Sequence, residues 1–153
     1  MGVKLEIGDL KKITTYQAGV IQAAAHRALR LHCDNILSPY GITKTEWMVI
    51  GMALDADSKG ILLAEICRQL DLEPNSLARV VSVLEKRRMV VRTTSGKQKA
   101  IAIHPTFARD CPEIERILRT ALRASIYSSV TPLEFRIYLK VLYQLSRLST
   151  DIT

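Results

Sequence analysis

The segment between Leu62 and His104 constrains the fold of this chain more than any other part of the sequence. It holds two short helical patterns, Leu63 to Leu70 and Pro74 to about Arg88, separated by a polar turn of three residues. Two β-rich runs follow at once, Met89 to Thr93 and Lys99 to His104, joined by residues that include Ser-Gly. A short helix, a three- to four-residue turn and a second helix form a helix-turn-helix unit, and the hairpin behind it predicts a wing.

Helical patterns lie on both sides of this segment. Apolar residues spaced three and four apart predict a long first helix from Asp9 to about Cys33. Thr43, with Glu46 three residues later, is typical of a capping box at the start of the second helix. Two further helices are predicted, one after Pro112 and one from Thr131. The sequence thus predicts a mainly α protein with a small β-hairpin wing, in one domain of residues 1–153. Its parts are a first, dimerisation helix in 9–37, a winged helix-turn-helix lobe in 43–104 and dimerisation helices in 106–148.

The basic charge of the chain is concentrated in one stretch. The formal net charge is +7, and the segment from Pro74 to Lys99 holds seven Lys or Arg residues against a single acid, Glu85. Charge gathered in this way is the electrostatic footprint of a surface that binds a polyanion. Aromatic residues make up only 5% of the chain, which disfavours a protein that stacks unpaired bases on rings.

The predicted helix from Pro74 separates its apolar and polar residues onto opposite faces. At 100° per residue, Leu77, Val80, Val81 and Leu84 point inward. We call the opposite side the reading face; it consists of Asn75, Arg79, Ser82 and Lys86, and it has no carboxylate. An Asn can pair with adenine and an Arg with guanine in the major groove, whereas Lys86 is better placed for a phosphate. The predicted DNA-binding residues are Asn75, Ser76, Arg79, Ser82, Lys86, Arg92, Lys97 and Lys99.

Several of these side chains have alternative roles. Arg92 could brace the hairpin instead of touching the DNA backbone, and Lys97 could simply be solvated at the turn. Glu73 could cap the helix, accept from a cytosine amino group, or repel the DNA backbone. Arg87 and Arg88 could act only on the dipole at the end of the helix.

An ordered set of short motifs resembles one family. The set is Gly41-Ile42-Thr43-x-x-Glu46-Trp47, Leu63-Ala64-x-x-Cys67-x-x-Leu70, Ser76-Leu77-Ala78-Arg79-Val80-Val81-x-x-Leu84-Glu85-Lys86, Met89-Val90-Val91-Arg92 and Leu133-Glu134-Phe135. It is similar to the MarR (multiple antibiotic resistance regulator) family over residues 9 to 148. The resemblance implies a homodimer whose first and last two helices intertwine and whose two winged lobes read a pseudo-palindrome. It also implies regulation of transcription, often relieved by a small phenolic ligand or by cysteine oxidation.

Three positions depart from the family pattern. Arg88 stands where the family has a Gly after the recognition helix. Since Gly supplies a left-handed helix end, the junction is expected to turn another way here. The acidic-x-Arg signature of the wing is absent, so no minor-groove arginine is carried over. No Ser or Thr immediately precedes the third helix.

Further expectations concern the dimer, an effector and the cysteines. The apolar residues of the end helices would leave a large exposed patch on a monomer, which favours a homodimer; the alternative is that they fold back on their own lobe. A small-molecule effector site is expected at His26, Arg30, Tyr40, Trp47 and Met48. The three cysteines are predicted to be reduced. Cys33 is the best redox candidate, although an inert thiol is favoured, Cys67 is interpreted as packing and Cys111 as exposed.

The predicted function is sequence-specific binding of double-stranded DNA by a homodimeric transcriptional regulator. Two other classes stay open: a non-specific DNA-coating or architectural protein, and a winged-helix module that binds an acidic protein. No catalytic motif, cofactor site or metal-ligand spacing stands out. The first twelve residues have no apolar signal core, and no run approaches the length of a membrane span, so a cytoplasmic protein is expected.

Overall fold

The computed structural model describes residues 7–148. Residues 1–6 and 149–153 lie outside the described residues. The predicted single domain of residues 1–153 extends over both of these segments, and the expected absence of a signal core concerns the first of them. A short 3-10 helix, Ile7–Lys12, comes first. The elements that follow are α1 Thr15–Leu37, α2 Lys44–Asp55, β1 Ile61–Leu62, α3 Leu63–Leu70, α4 Pro74–Lys86, β2 Val90–Ser95, β3 Gln98–Ile103, α5 Pro105–Ala108, α6 Cys111–Ala124 and α7 Pro132–Leu148, with a second 3-10 helix, Ser38–Tyr40, between α1 and α2. Within residues 7–148, no helix combines the length and apolar character that a membrane crossing requires.

The helix-turn-helix unit and the hairpin lie where the sequence predicts them. Helix α3 has the predicted bounds, and α4 begins at Pro74, whose missing amide costs nothing at a first helical position. The central core is formed by Leu37, Ile50, Ile66, Leu77, Leu84 and Ile101, which are all at most 1% exposed. Side chains from α1, α2, α3, α4 and the sheet therefore meet in one cluster.

The sheet has three strands rather than the two of the predicted hairpin. The strand order is β1-β3-β2, with both pairs antiparallel. The extra strand is Ile61–Leu62, which pairs with Ile101 and Ala100. Gly60 leads into it with a φ of 80°, and a Cβ there would lie 2.2 Å from the carbonyl oxygen of Ile101. Only a glycine allows this approach of the two backbones.

The predicted start of the first helix and the predicted turn in the wing are wrong. Helix α1 begins at Thr15 behind a complete Thr14–Gln17 capping box. It ends at Leu37, as the range 9–37 has it, and beyond the Cys33 at which the apolar pattern stops. In the wing, Ser95 pairs with Gln98, so the turn contains two residues instead of five. Gly96 takes its first central position with a φ of 63°, as hairpins of this length favour.

The end of α4 also differs from the expectation. The N–H of Met89 donates to the carbonyl of Leu84 at 2.9 Å, and the N–H of Arg88 donates to the carbonyl of Glu85 at 3.0 Å. These two bonds define a Schellman motif. Arg88 itself has a φ of 57°, the left-handed conformation that a Gly usually supplies. The junction therefore turns as it would with a Gly, and the expectation of a different turn is wrong.

Candidate nucleic-acid interface

Helix α4 presents one polar face outward because its apolar residues are anchored in the core. Leu77, Val81 and Leu84 are at most 1% exposed. Asn75, Ser76, Arg79 and Lys86 are all exposed, and Ser82 is half-buried at the border of the same face. Four of these five side chains are thus free to reach a groove.

The turn between α3 and α4 sets the direction in which α4 begins. Asp71 takes a left-handed φ of 51°, and the N–H of Leu72 donates to the carbonyl of Cys67 at 3.0 Å. Glu73 occupies the N-cap position of α4 without a side-chain hydrogen bond to the helix, so it does not cap it. The first amides of α4 therefore have no protein cap, and a helix start of this kind favours an anionic ligand.

Arg92 joins the first strand of the wing to α4. Its Nη2 donates to the hydroxyl of Ser82 at 3.2 Å, and its Nε lies 3.2 Å from a carboxylate oxygen of Glu85. Of the two roles considered for Arg92, bracing the hairpin and contacting the DNA backbone, the structure shows the first. Glu85, the only acid between Pro74 and Lys99, is neutralised by the same contact. Ser82 and Arg92 hold each other at the edge of the reading face.

The wing presents its lysines on an exposed turn. Lys97 lies in the two-residue turn, and Lys99 lies on β3 opposite Thr94. Both side chains are exposed. The contact of either lysine with DNA stays a prediction.

Arg87 makes a contact that no sequence pattern indicates. Its guanidinium donates through Nη2 to the carbonyl of Tyr40 at 2.7 Å and through Nη1 to the carbonyl of Gly41. Glu46 lies 4.0 Å from the same Nη1. Forty-six residues separate Arg87 from Gly41, so no local pattern could have revealed the contact.

Comparisons with solved structures give clear matches to this architecture. A MarR-family transcriptional regulator from Rhodococcus sp. RHA1 aligns with a TM-score of 0.78 at 17% identity, over 88% of this chain and 96% of that one. The chain has the MarR winged helix-turn-helix fold. CouR from Rhodococcus jostii RHA1, bound to p-coumaroyl-CoA, aligns with a TM-score of 0.75 at 18% identity over 84% and 91% of the two chains. S. aureus MepR in a complex with DNA aligns with a TM-score of 0.66 at 14% identity over 87% and 96%. Family models and curated proteins give no match.

The end helices of this MarR fold expose their apolar residues. Among the residues expected to form an apolar patch, Leu118 is buried at 6% and Ile13 and Ile117 are half-buried. The others are 43–59% exposed: Leu10, Leu139, Leu142, Leu145 and Leu148. In α7 Phe135 alone is half-buried, and its ring meets Tyr127 edge-on at 4.8 Å. The leucines of α7 therefore do not fold back on their own lobe.

The residues expected to hold an effector are spread over two helices and the connection between them. His26 and Arg30 are exposed on α1, whereas Tyr40, Trp47 and Met48 are half-buried. Tyr40 and Trp47 pack against the core. A cavity of about 700 Å³ lies elsewhere in this MarR fold, at the connection of α6 to α7. It is lined by Arg123, Tyr127, Ser128, Val130, Pro132, Phe135 and Arg136.

The cysteines of this MarR fold are mostly shielded. Cys33 is 5% exposed and Cys111 is 1% exposed, so the expectation that Cys111 lies on the surface is wrong. Cys111 comes at the start of α6, where its Sγ donates to the carbonyl of Phe107 at 3.3 Å. Burial raises the pKa of both thiols above the ordinary cysteine value. Cys67 is half-buried against the core, as its interpretation as a packing residue requires. Since a redox sensor needs a lowered pKa and access, the inert role fits Cys33.

Proposed function

We propose that this chain is a transcriptional regulator, and not an enzyme, that binds a pseudo-palindromic duplex site as a homodimer. One observation carries the proposal: α4 is held in the core by Leu77, Val81 and Leu84, and it turns an uncapped N-terminus and a face without free acids to solvent. The S. aureus MepR structure, of the same fold, is a complex with DNA. In this chain the first half of α4 enters the major groove, where Asn75 and Arg79 reach base edges and Ser76 and Ser82 lie beside them.

The dimer follows from the exposed apolar surface of α7. A helix of 17 residues that packs so little against its own chain is marginal in water, so a second copy covers it. Leu142→Asp is expected to give monomers in sedimentation equilibrium at micromolar concentration. Gln144→Asp adds the same charge on the opposite side of the helix and is expected to leave the dimer intact. A monomeric wild-type protein would remove the symmetric arrangement.

Selection of bound duplexes from a random pool tests the DNA-binding role. Against the selected duplex, Arg79→Ala is expected to cost about 1–3 kcal/mol and to relax the preference at one base position. Lys86→Ala is expected to weaken binding to all duplexes and to reduce the salt slope by about 1 per chain. Arg116→Ala is the matched control, because Arg116 pairs with Glu113 on α6, away from the reading face. An Arg79→Ala protein with unchanged affinity and preference would show that the reading face is misassigned.

The same assay separates the two other classes. A ratio near one between selected and random duplexes at fixed salt would favour a DNA-coating protein. No duplex binding even at low salt would favour a protein-interaction module.

We further propose that an anionic aromatic compound is the effector, as the complex of CouR with p-coumaroyl-CoA suggests. The predicted site comprises His26, Arg30, Tyr40, Trp47 and Met48; the competing site is the cavity between Arg123 and Arg136. Trp47 is the only tryptophan of the chain, so its fluorescence reports binding nearby. Titration with an aryl carboxylate should quench it, Arg30→Gln should weaken the binding, and Arg123→Gln should not. The opposite result would assign the effector to the cavity.

A further inference from the structure

We propose that Arg87 is a positioning residue: it fixes the angle of α4 against the connection between α1 and α2, and in the dimer it thereby sets the distance between the two half-sites that are read. The proposal rests on the proposed function as a dimeric DNA reader. It gives Arg87 a role distinct from the phosphate contacts expected of its basic neighbours.

The two hydrogen bonds of the Arg87 guanidinium go to one connection. Arg87 is the C-cap residue directly after α4, and its guanidinium donates to the carbonyls of Tyr40 and Gly41, where the chain passes from α1 to α2. A planar guanidinium presents its donors in a fixed fork, so two bonds to adjacent carbonyls define an orientation and not only a distance. Arg87 thus joins the end of α4 to the connection that follows the long helix α1.

A buried carboxylate in the first turn of α2 also faces Arg87. Glu46 has a side chain that is 16% exposed, and its Oε2 is a buried atom that has no hydrogen-bond partner. Arg87 Nη1, at 4.0 Å, is the cation that the structure places beside this carboxylate. Loss of the guanidinium would remove the bonds to two carbonyls and the cation beside the buried Glu46 Oε2, which weakens the attachment of α4 to the connection.

Gly41 leaves the space that the guanidinium of Arg87 occupies. Its φ of 64° is in the left-handed region, and a Cβ there would lie 2.9 Å from Arg87 Nη2. Any larger residue would both strain the backbone and displace the guanidinium. The turn therefore serves the contact as well as the change of chain direction.

A small change of angle at Arg87 is large at the base edges. Helix α4 has 13 residues and is therefore about 20 Å long. A rotation of about 10° at the Arg87 end moves the Asn75 end by about 3.4 Å, which is the rise of one base pair. A change of about 10° in the angle that Arg87 fixes is thus large enough to alter the half-site spacing that two α4 helices can span.

The test compares Arg87→Gln with Arg88→Gln on the full-length protein. The two substitutions remove one positive charge each, from adjacent exposed positions, but only Arg87 bonds to the connection. The probes are the duplex selected by the wild type and two derivatives with one base pair inserted or deleted between the half-sites. Each change rotates one half-site by about 34–36°. The readout is the affinity ratio between these duplexes, which is insensitive to the fraction of folded protein.

We expect the wild type and Arg88→Gln to prefer the selected spacing by at least about tenfold, since a misfitted position costs about that factor. Arg87→Gln should reduce the preference to below about threefold while retaining binding to a single half-site. Arg87→Lys should be intermediate, and it carries the test if Arg87→Gln does not fold, because an ammonium lacks the rigid fork.

Each other outcome overturns the proposal. If Arg87→Gln keeps the tenfold preference and loses affinity as Arg88→Gln does, Arg87 contributes only charge. If Arg87→Lys is also indistinguishable from the wild type, the fork has no positioning role. If the wild type selects no duplex, the proposed function fails as well, and that result is visible before any variant is made.

Discussion

The substitution Arg88→Gly is expected to stabilise this protein, although it removes a charged residue from a surface helix end. Arg88 occupies the left-handed position of the Schellman motif that ends α4, with a φ of 57°. Its backbone bonds do not depend on the side chain, because the N–H groups of Arg88 and Met89 donate to main-chain carbonyls. A Gly can make the same bonds without the contact between Cβ and carbonyl that disfavours this conformation.

The size of the effect follows from two opposing terms. A residue with a Cβ in the left-handed region costs about 1–2 kcal/mol relative to the right-handed one. A Gly adds freedom to the unfolded chain, which costs about 0.4–1 kcal/mol on folding. The net expectation is a gain of about 0.5–1 kcal/mol in the free energy of unfolding. With a urea slope of about 2 kcal/mol/M, the midpoint should rise by about 0.3–0.5 M.

Urea unfolding at fixed protein concentration measures this gain, because a dimer makes the midpoint concentration-dependent. Arg88→Ala is the control: it removes the same charge but keeps the Cβ, and it should stay within about 0.5 kcal/mol of the wild type. If Arg88→Gly is no more stable than Arg88→Ala, the left-handed position of Arg88 does not carry the cost assigned to it.

Two other perturbations test the lobe. Gly60→Ala should lower the free energy of unfolding in urea by more than about 3 kcal/mol, because its Cβ would lie 2.2 Å from a backbone carbonyl oxygen. Gly51→Ala is the control in helix α2: its Cβ meets nothing within 4 Å, so it should raise the free energy of unfolding by about 0.5–1 kcal/mol. A tolerated Gly60→Ala would contradict the backbone contact at β1. A disulfide reagent at neutral pH should label Cys67 first and Cys33 and Cys111 slowly, since burial raises the pKa of the latter two thiols. As the pH rises through these raised pKa values, the buried neutral thiols lose their favourable contribution to stability. A fast labelling phase that survives Cys67→Ser would show that a buried thiol is accessible.

Short sequence patterns were sufficient to predict the elements whose ends are set by neighbouring residues. Helix α3 kept its predicted bounds because its apolar stripe and its flanking turn are both within ten residues. Helix α7 starts with a reciprocal pair: the N–H of Thr131 donates to Glu134 at 2.8 Å, and the N–H of Glu134 donates to the Thr131 hydroxyl at 3.2 Å. A capping box of the same kind joins Thr14 and Gln17. The start of α1 was predicted too early there because the apolar pattern continues upstream of Thr14.

The features that the sequence could not predict depend on distant partners. Ile61 and Leu62 form a strand only because β3, about forty residues later, pairs with them. Arg88 adopts its unfavourable φ because Leu84, four residues before it, and Met89, directly after it, are both buried in the core. That anchoring outweighs the local preference. The contact of Arg87 with the connection between α1 and α2 has the same origin. For the candidate site, the exposed face of α4 was predictable from periodicity, whereas the sequence left open whether Arg92 braces the hairpin or contacts DNA.

The internal contacts also change what the concentrated positive charge can do. Of the seven basic residues between Pro74 and Lys99, Arg87 and Arg92 are held by bonds within the chain. Five per chain stay available in this stretch, and ten in a dimer. Since the slope of log K against log salt is about −0.9 per phosphate contact, the stretch can account for a slope of about −9 at most, against about −13 if all seven reached phosphates. Arg92→Gln should therefore leave the slope unchanged, whereas Lys97→Gln should make it shallower by about 0.9 for each chain whose wing touches DNA. A slope reduced equally by both substitutions would mean that Arg92 leaves Ser82 and Glu85 on binding, and that the charge count of the sequence is the better guide.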